Sequence, residues 1–176
     1  EMSLVEHLEE LRSTMVRVVA ILAISFIVCY AKADVISEFL LTPLRSALQG
    51  NSGQVVYLGL LDKVLSQFQV AFWSCVIVSS PFWFWQVWKF IKPGLHDHEA
   101  KGVRPFIMVG FILFWLGIAF GYFLVFPLTF ETLMSFGVSN VTATISLKEY
   151  LVLASKVLVF LGIIFQLPNL LLILGF

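Results

Sequence analysis

Residues 105–130 read PFIMVGFILFWLGIAFGYFLVFPLTF, with no charged side chain among them. A bilayer core about 30 Å thick needs roughly 20 apolar residues in a helix, so this run is long enough to cross one. Three further runs share its character. Val64–Trp88 carries no charge, Val18–Ala31 is short but bounded by Arg17 and Lys32, and Tyr150–Phe176 holds Lys156 as its only charge. Arg17 and Lys32 lengthen the first run, because a long basic side chain buries its stem and keeps its head in water. The expected fold is an all-α membrane protein: one polytopic transmembrane helix bundle with spans at about 15–33, 64–88, 105–130 and 150–176.

The composition agrees. Of 176 residues, 60% are hydrophobic and 12% charged, too little polar material to coat a water-soluble globule. The formal net charge is zero, so no global field draws the chain to nucleic acid, and recognition by charge must be local. Cys29 and Cys75 lie in different hydrophobic runs without metal-type spacing and read as buried apolar side chains. The chain begins at Glu1 and stops inside an apolar run at Gly175 and Phe176, which reads as a fragment with no removable signal peptide.

The segments between the spans carry their own signals. Ser3 and Glu6 fit a capping box, and Leu4, Leu8, Leu11 and Met15 recur at helical spacing. An amphipathic helix over residues 4–14, lying along the membrane surface, is therefore expected to lead into the first span. Val35–Leu48 is interrupted by Pro43 and followed by a Gly-Asn-Ser-Gly turn at 50–53, which predicts short kinked surface helices. Lys89–Arg104 is compact and polar, broken at Pro93 and Gly94, and Glu131–Glu149 is the last loop. Pro81 should kink the second span, and Pro127 and Pro168 should bend the third and fourth. Basic residues favour an inner N-terminus by six to four, with Arg12, Arg17, Lys89, Lys92, Lys101 and Arg104 against Lys32, Arg45, Lys63 and Lys148. Trp83, Trp85 and Trp88 form an aromatic belt at the inner interface.

Chemistry is sparse. The sequence holds no HExxH pair, no nucleophile elbow, no P-loop and no aspartyl dyad within a span, so no enzyme and no cofactor is expected. His96-Asp97-His98-Glu99 could supply metal ligands, but consecutive residues rarely converge on one ion; a loop and helix start with Asp97 as N-cap is the simpler reading, with no metal. Two acidic clusters flank adjacent spans on the inner face, Glu6, Glu9 and Glu10 before the first and Asp97 and Glu99 between the second and third. They could form one anionic site. They also read as a solvated face, since Glu9 and Arg12 are helix neighbours. Lys156 and Gln166 are intramembrane polar residues; the lysine could snorkel, while the glutamine needs a hydrogen-bond partner inside the bundle or on another helix.

Several ordered strings resemble the TatC family, the multispanning receptor of the twin-arginine protein translocase. They are His7-Leu8-Glu9-Glu10-Leu11-Arg12, Ser80-Pro81, Gln86-Val87-Trp88-Lys89-Phe90-Ile91-Lys92-Pro93-Gly94-Leu95 with His98-Glu99, Tyr122-Phe123-Leu124-Val125-Phe126-Pro127-Leu128 and Phe165-Gln166-Leu167-Pro168. The resemblance implies a six-span family fold with both termini in the cytoplasm, of which this chain carries the first four spans. It further implies a multi-pass protein of the bacterial inner membrane that binds twin-arginine signal peptides of folded precursors. Glu10 and Glu99 would meet the paired arginines, with Arg12 and Phe90 at family positions of the same cytoplasmic site and Pro43 at one in the first outer loop. Implied partners are TatA and TatB subunits and further copies of the receptor, with the proton-motive force as the energy source. Many relatives carry glutamate where this chain has Gln166. The competing expectation is a proton-coupled or small-solute transporter using Lys156 and Gln166 as its pathway.

Overall fold

No glycine or proline falls between Leu4 and Ala31, so nothing in the sequence interrupts a helix there. The computed structural model, which describes residues 4–48, 53–91, 97–136 and 144–174, accordingly holds one continuous helix, α1 (Leu4–Ala31). The amphipathic stretch 4–14 is thus the first turns of the spanning helix and not a separate surface helix. A Glu-rich segment continues the helix because Leu, Glu, Arg and Met all favour it. The expected capping box involves Ser3, which lies outside the described residues.

The remaining elements follow in order: α2 (Ala33–Leu48), β1 (Gln54–Val56), α3 (Asp62–Val78), α4 (Ser80–Ile91) and α5 (Asp97–Phe120). After a π-helical turn (Gly121–Val125) come α6 (Phe126–Ser135), β2 (Thr144–Ser146), α7 (Leu147–Ile164) and α8 (Leu167–Leu174). Three helical stretches are long and apolar enough to cross a membrane, Leu8–Ala31, Ile107–Ser135 and Leu147–Leu171. The pair α3 and α4 is long and apolar enough only when taken together, and it turns by 54° at Ser79, two residues before Pro81. Ser79 supports the bend by donating its hydroxyl to the Cys75 carbonyl at 2.6 Å, and the Trp83 indole donates across it to the Val76 carbonyl at 2.9 Å. The fourth expected span is likewise interrupted between Ile164 and Leu167, just before Pro168.

α2 is a single helix with Pro43 inside it, where two short pieces were expected. The proline removes the N–H that would bond the Phe39 carbonyl four residues back. Tyr122 supplies the missing donor, its hydroxyl reaching the Phe39 carbonyl at 2.8 Å while its ring stacks on Phe39. The helix therefore survives. Tyr122 lies in the π-helical turn just ahead of Pro127, and such turns absorb a residue that cannot continue the regular ladder.

The core lies where α2, α3, α5 and α7 meet, centred on Leu40, Leu44, Val70, Phe114, Leu151 and Leu158. α5 and α7 approach closely because small residues face each other. A Cβ on Gly117 would stand 2.7 Å from the Leu161 carbonyl, and one on Gly162 would stand 2.7 Å from the buried Phe114 ring. α1 packs on α3 and α4 instead, with Phe26 edge-on to Phe68 and with both free cysteines, Cys29 and Cys75, buried beside Ala71. Large apolar side chains such as Ile27, Met108, Ile112, Phe123 and Phe160 stay exposed on the outside of the bundle, as a lipid-facing surface requires.

One end of the bundle is closed by long-range ties. β1 and β2 pair in parallel, with Val55 opposite Ile145, and Lys148 reaches Asp62 at 2.9 Å. Neither strand was expected from the sequence.

Candidate functional site

Glu10 sits in the second turn of α1, at the end of the span opposite β1 and β2. The residue is partly buried, on a helix that packs on α3 and α4, and its Oε2 is shut off from solvent without a hydrogen-bond partner among the described residues. A carboxylate oxygen in that state is costly, since burial removes its water and nothing replaces it. It is an acceptor awaiting a donor. Gln86, on α4, presents a second one, an amide Oε1 buried without a partner. The sequence placed Gln86 within a quoted string but assigned it no role; a glutamine at the inner end of an apolar run is the only local signal it gives.

Arg12 is exposed and lines, with Glu9, Ser13, Val16 and Arg17, a shallow cavity of about 410 Å³ along α1. Neither Arg12 nor Arg17 has an ion-pair partner among the described residues. Phe90 lies in the last turn of α4 and Glu99 in the first turn of α5, and α4 packs on both α1 and α5. The backbone thus gathers the three elements that carry Glu10, Phe90 and Glu99 at one end of the bundle. The side chains of Phe90 and Glu99 lie outside the described part of the structure, as do Pro93 and His96. No group of three or more metal-ligating side chains occurs among the described residues.

The intramembrane polar residues separate from each other. The Gln166 amide donates to the Gly110 carbonyl at 2.9 Å, in a notch kept open by the missing side chain of Gly110. A Cβ there would stand 2.7 Å from the Asn169 Nδ2. Asn169 leaves its Oδ1 buried without a partner among the described residues. Lys156 lies ten residues before Gln166, half-buried, with no hydrogen-bond or ion-pair partner among the described residues. A cavity of about 620 Å³ brings Pro43 and Pro127 onto one wall system with Phe39, Tyr122 and Glu131.

Comparison with known proteins places this geometry in a family. The model described as Sec-independent protein translocase protein (TatC) matches residues 6–176. The Sec-independent protein translocase protein TatC of Magnetococcus marinus is 38% identical over 165 residues, covering 94% of this chain and 60% of the relative. That of Campylobacter jejuni is 36% identical over 92% of this chain and 66% of its own length. This chain therefore spans about 60% of the length of the first of these relatives. Among solved structures, a crystal structure of the twin arginine translocase receptor TatC superposes with a TM-score of 0.85 at 27% identity, over 94% of this chain and 73% of that one.

Proposed function

The chain belongs to the TatC family of Sec-independent protein translocase proteins, and from that membership we propose that it is a receptor and core subunit whose inner face binds paired-arginine signal peptides of folded precursors. The observation that carries the reading is the Oε2 of Glu10, buried without a partner among the described residues, on a helix packed against α4. A guanidinium is the ligand best suited to it. Its planar fork donates two parallel hydrogen bonds to one carboxylate, whereas an ammonium is a point charge that cannot match both. Glu10 on α1 and Glu99 on α5 give two carboxylates for two arginines, with Phe90 on the helix between them. Gln86 adds a neutral acceptor on that same helix.

In this mechanism the signal peptide docks from the cytoplasm with its arginines at the inner end of α1 and α5. Its apolar part then follows the exposed apolar surface of the bundle into the membrane. The protein does no bond chemistry; its carboxylates bind. TatA and TatB subunits and further receptor copies assemble around it in a bacterial inner membrane, the N-terminus lies in the cytoplasm, and the proton-motive force drives export. Gln166, bonded to the Gly110 carbonyl, acts in helix packing, which speaks against a solute pathway joining it to Lys156.

Photo-crosslinking of a twin-arginine signal peptide to the protein in native membrane vesicles tests the site. Glu10→Ala and Glu99→Ala should each reduce the crosslink strongly, and replacing the peptide's arginines by lysines should do the same in the unaltered protein. Undiminished crosslinking in both glutamate variants would remove the assignment.

A further inference from the structure

α4 carries two residues of the proposed site, Gln86 and Phe90, and it meets the rest of its span through the 54° turn at Ser79. Pro81 has no N–H for the Ile77 carbonyl four residues back, so the backbone ladder that keeps a helix straight is broken where α3 and α4 join. The angle has to be set by side chains. Two indoles do so. Nε1 of Trp83, on α4, donates to the Val76 carbonyl of α3 at 2.9 Å, and Nε1 of Trp115, on α5, donates to the fully buried Ser80 hydroxyl at 3.2 Å. The Trp83 ring is held in its turn. It stacks on Phe84 at a centroid distance of 4.3 Å and meets Phe114, a fully buried member of the core, edge-on at 5.6 Å. The bond from Trp83 to Val76 therefore ties α4 to α3 at an angle that the core defines.

Leverage makes that angle matter to the site. Counted from Ser79, the backbones of Gln86 and Phe90 lie roughly 10 and 16 Å along α4. A change of about 10° at the bend would carry them by about 2 and 3 Å, whereas a binding constellation has to be held to within about 0.5 Å. Gln86 also stands one turn past Trp83 on the same side of α4, with its Oε1 buried and without a partner among the described residues. We propose that Trp83 is a positioning residue of the peptide site: by holding the Val76 carbonyl, its indole N–H fixes the angle of α4 and so the place of Gln86 and Phe90 relative to Glu10 on α1. The sequence reads Trp83 as one residue of an aromatic belt, and the bond across the bend gives it a second task. This role rests on the paired-arginine reading of the site. Trp83 itself touches no peptide; it acts through the helix.

The test measures binding of a twin-arginine signal peptide and of its lysine-substituted form on native membrane vesicles carrying the unaltered protein, Trp83→Phe or Tyr122→Phe. Trp83→Phe removes the donor and keeps an aromatic ring. Tyr122→Phe removes a donor to another helix carbonyl, at the far end of the bundle, and so controls for a general loss of stability. The arginine form should bind about tenfold more tightly than the lysine form to the unaltered protein and to Tyr122→Phe, but no more than about threefold more tightly to Trp83→Phe. Benzothienylalanine at position 83, which keeps the two-ring shape and has sulfur in place of the N–H, should behave as Trp83→Phe does and decides the matter if that variant unfolds. A tenfold preference retained in either folded variant at position 83 would overturn the proposal, and so would an equal loss of preference in Tyr122→Phe. Absence of any preference in the unaltered protein would overturn the reading of the site itself, a failure that is seen without any variant.

Discussion

The two ends of the bundle treat their polar groups in opposite ways. At the end that carries β1 and β2, outer in the proposed orientation, Tyr122 caps the carbonyl that Pro43 strips of its donor, Tyr150 reaches the Leu40 carbonyl at 2.6 Å, Lys148 holds Asp62, and two three-residue strands pair across the chain. At the opposite end, inner in the proposed orientation, Glu10 and Gln86 each keep a buried oxygen without a donor among the described residues. Apart from the Ser37 hydroxyl of α2, also buried without a partner among the described residues, the outer groups are committed to structure, while in the proposed function the inner ones are left open for a ligand. A protein that leaves acceptors unsatisfied in one place and pairs them carefully in another separates the part that holds shape from the part that binds.

Substitutions at the two ends should therefore fail in different assays. The largest effect is expected at Glu10: Glu10→Ala should weaken signal-peptide binding ten- to a hundredfold, on the order of 1.5–3 kcal/mol for a charge-assisted hydrogen bond, while thermal stability in detergent stays level or rises because a buried orphan oxygen is gone. Tyr122→Phe should do the reverse. It leaves the Phe39 carbonyl with no donor, costing about 1–3 kcal/mol in unfolding, and leaves peptide binding at the inner end unchanged. Tyr150→Phe should cost less, since Leu44 carries an N–H for the Leu40 carbonyl that Pro43 cannot offer Phe39. Asp62→Asn weakens the pair with Lys148 and should lower thermal stability by less than Tyr122→Phe does. The smallest effect belongs to Arg45→Gln. Its bridge to Glu38, though 2.6 Å long, is open to solvent on both sides, so stability should move by less than about 0.5 kcal/mol. A Tyr122→Phe variant that lost peptide binding without losing stability would break the comparison.

What the sequence revealed divides along the same physical line. The uncharged runs marked the long apolar helices, because an apolar helix announces itself residue by residue, and Pro81 and Pro168 marked two places where a helix is interrupted. Pro43 was legible as an interruption but not as a tolerated one, because the donor that rescues the helix comes from Tyr122, far along the chain. The pairing of Gln54–Val56 with Thr144–Ser146 was invisible for the same reason: three residues carry no periodicity, and their register is set by the helices that bring them together. The continuity of α1 was missed because its charged first turns look like a surface helix, although no breaker separates them from the span. At the inner face the carboxylates were legible as residue types and through family resemblance. That Glu10 keeps a buried oxygen with no partner among the described residues depends on how other helices pack around α1, which local pattern does not encode.

The most direct measurement is a double-mutant cycle between receptor and ligand, in which binding of a twin-arginine signal peptide and its lysine-substituted form is measured on native membrane vesicles carrying the unaltered protein or Glu10→Gln. If Glu10 reads guanidinium geometry, the arginine-to-lysine change should cost about tenfold in the unaltered protein and no more than about twofold in Glu10→Gln. An equal loss in both proteins would show that the arginines are read elsewhere and would contradict the account.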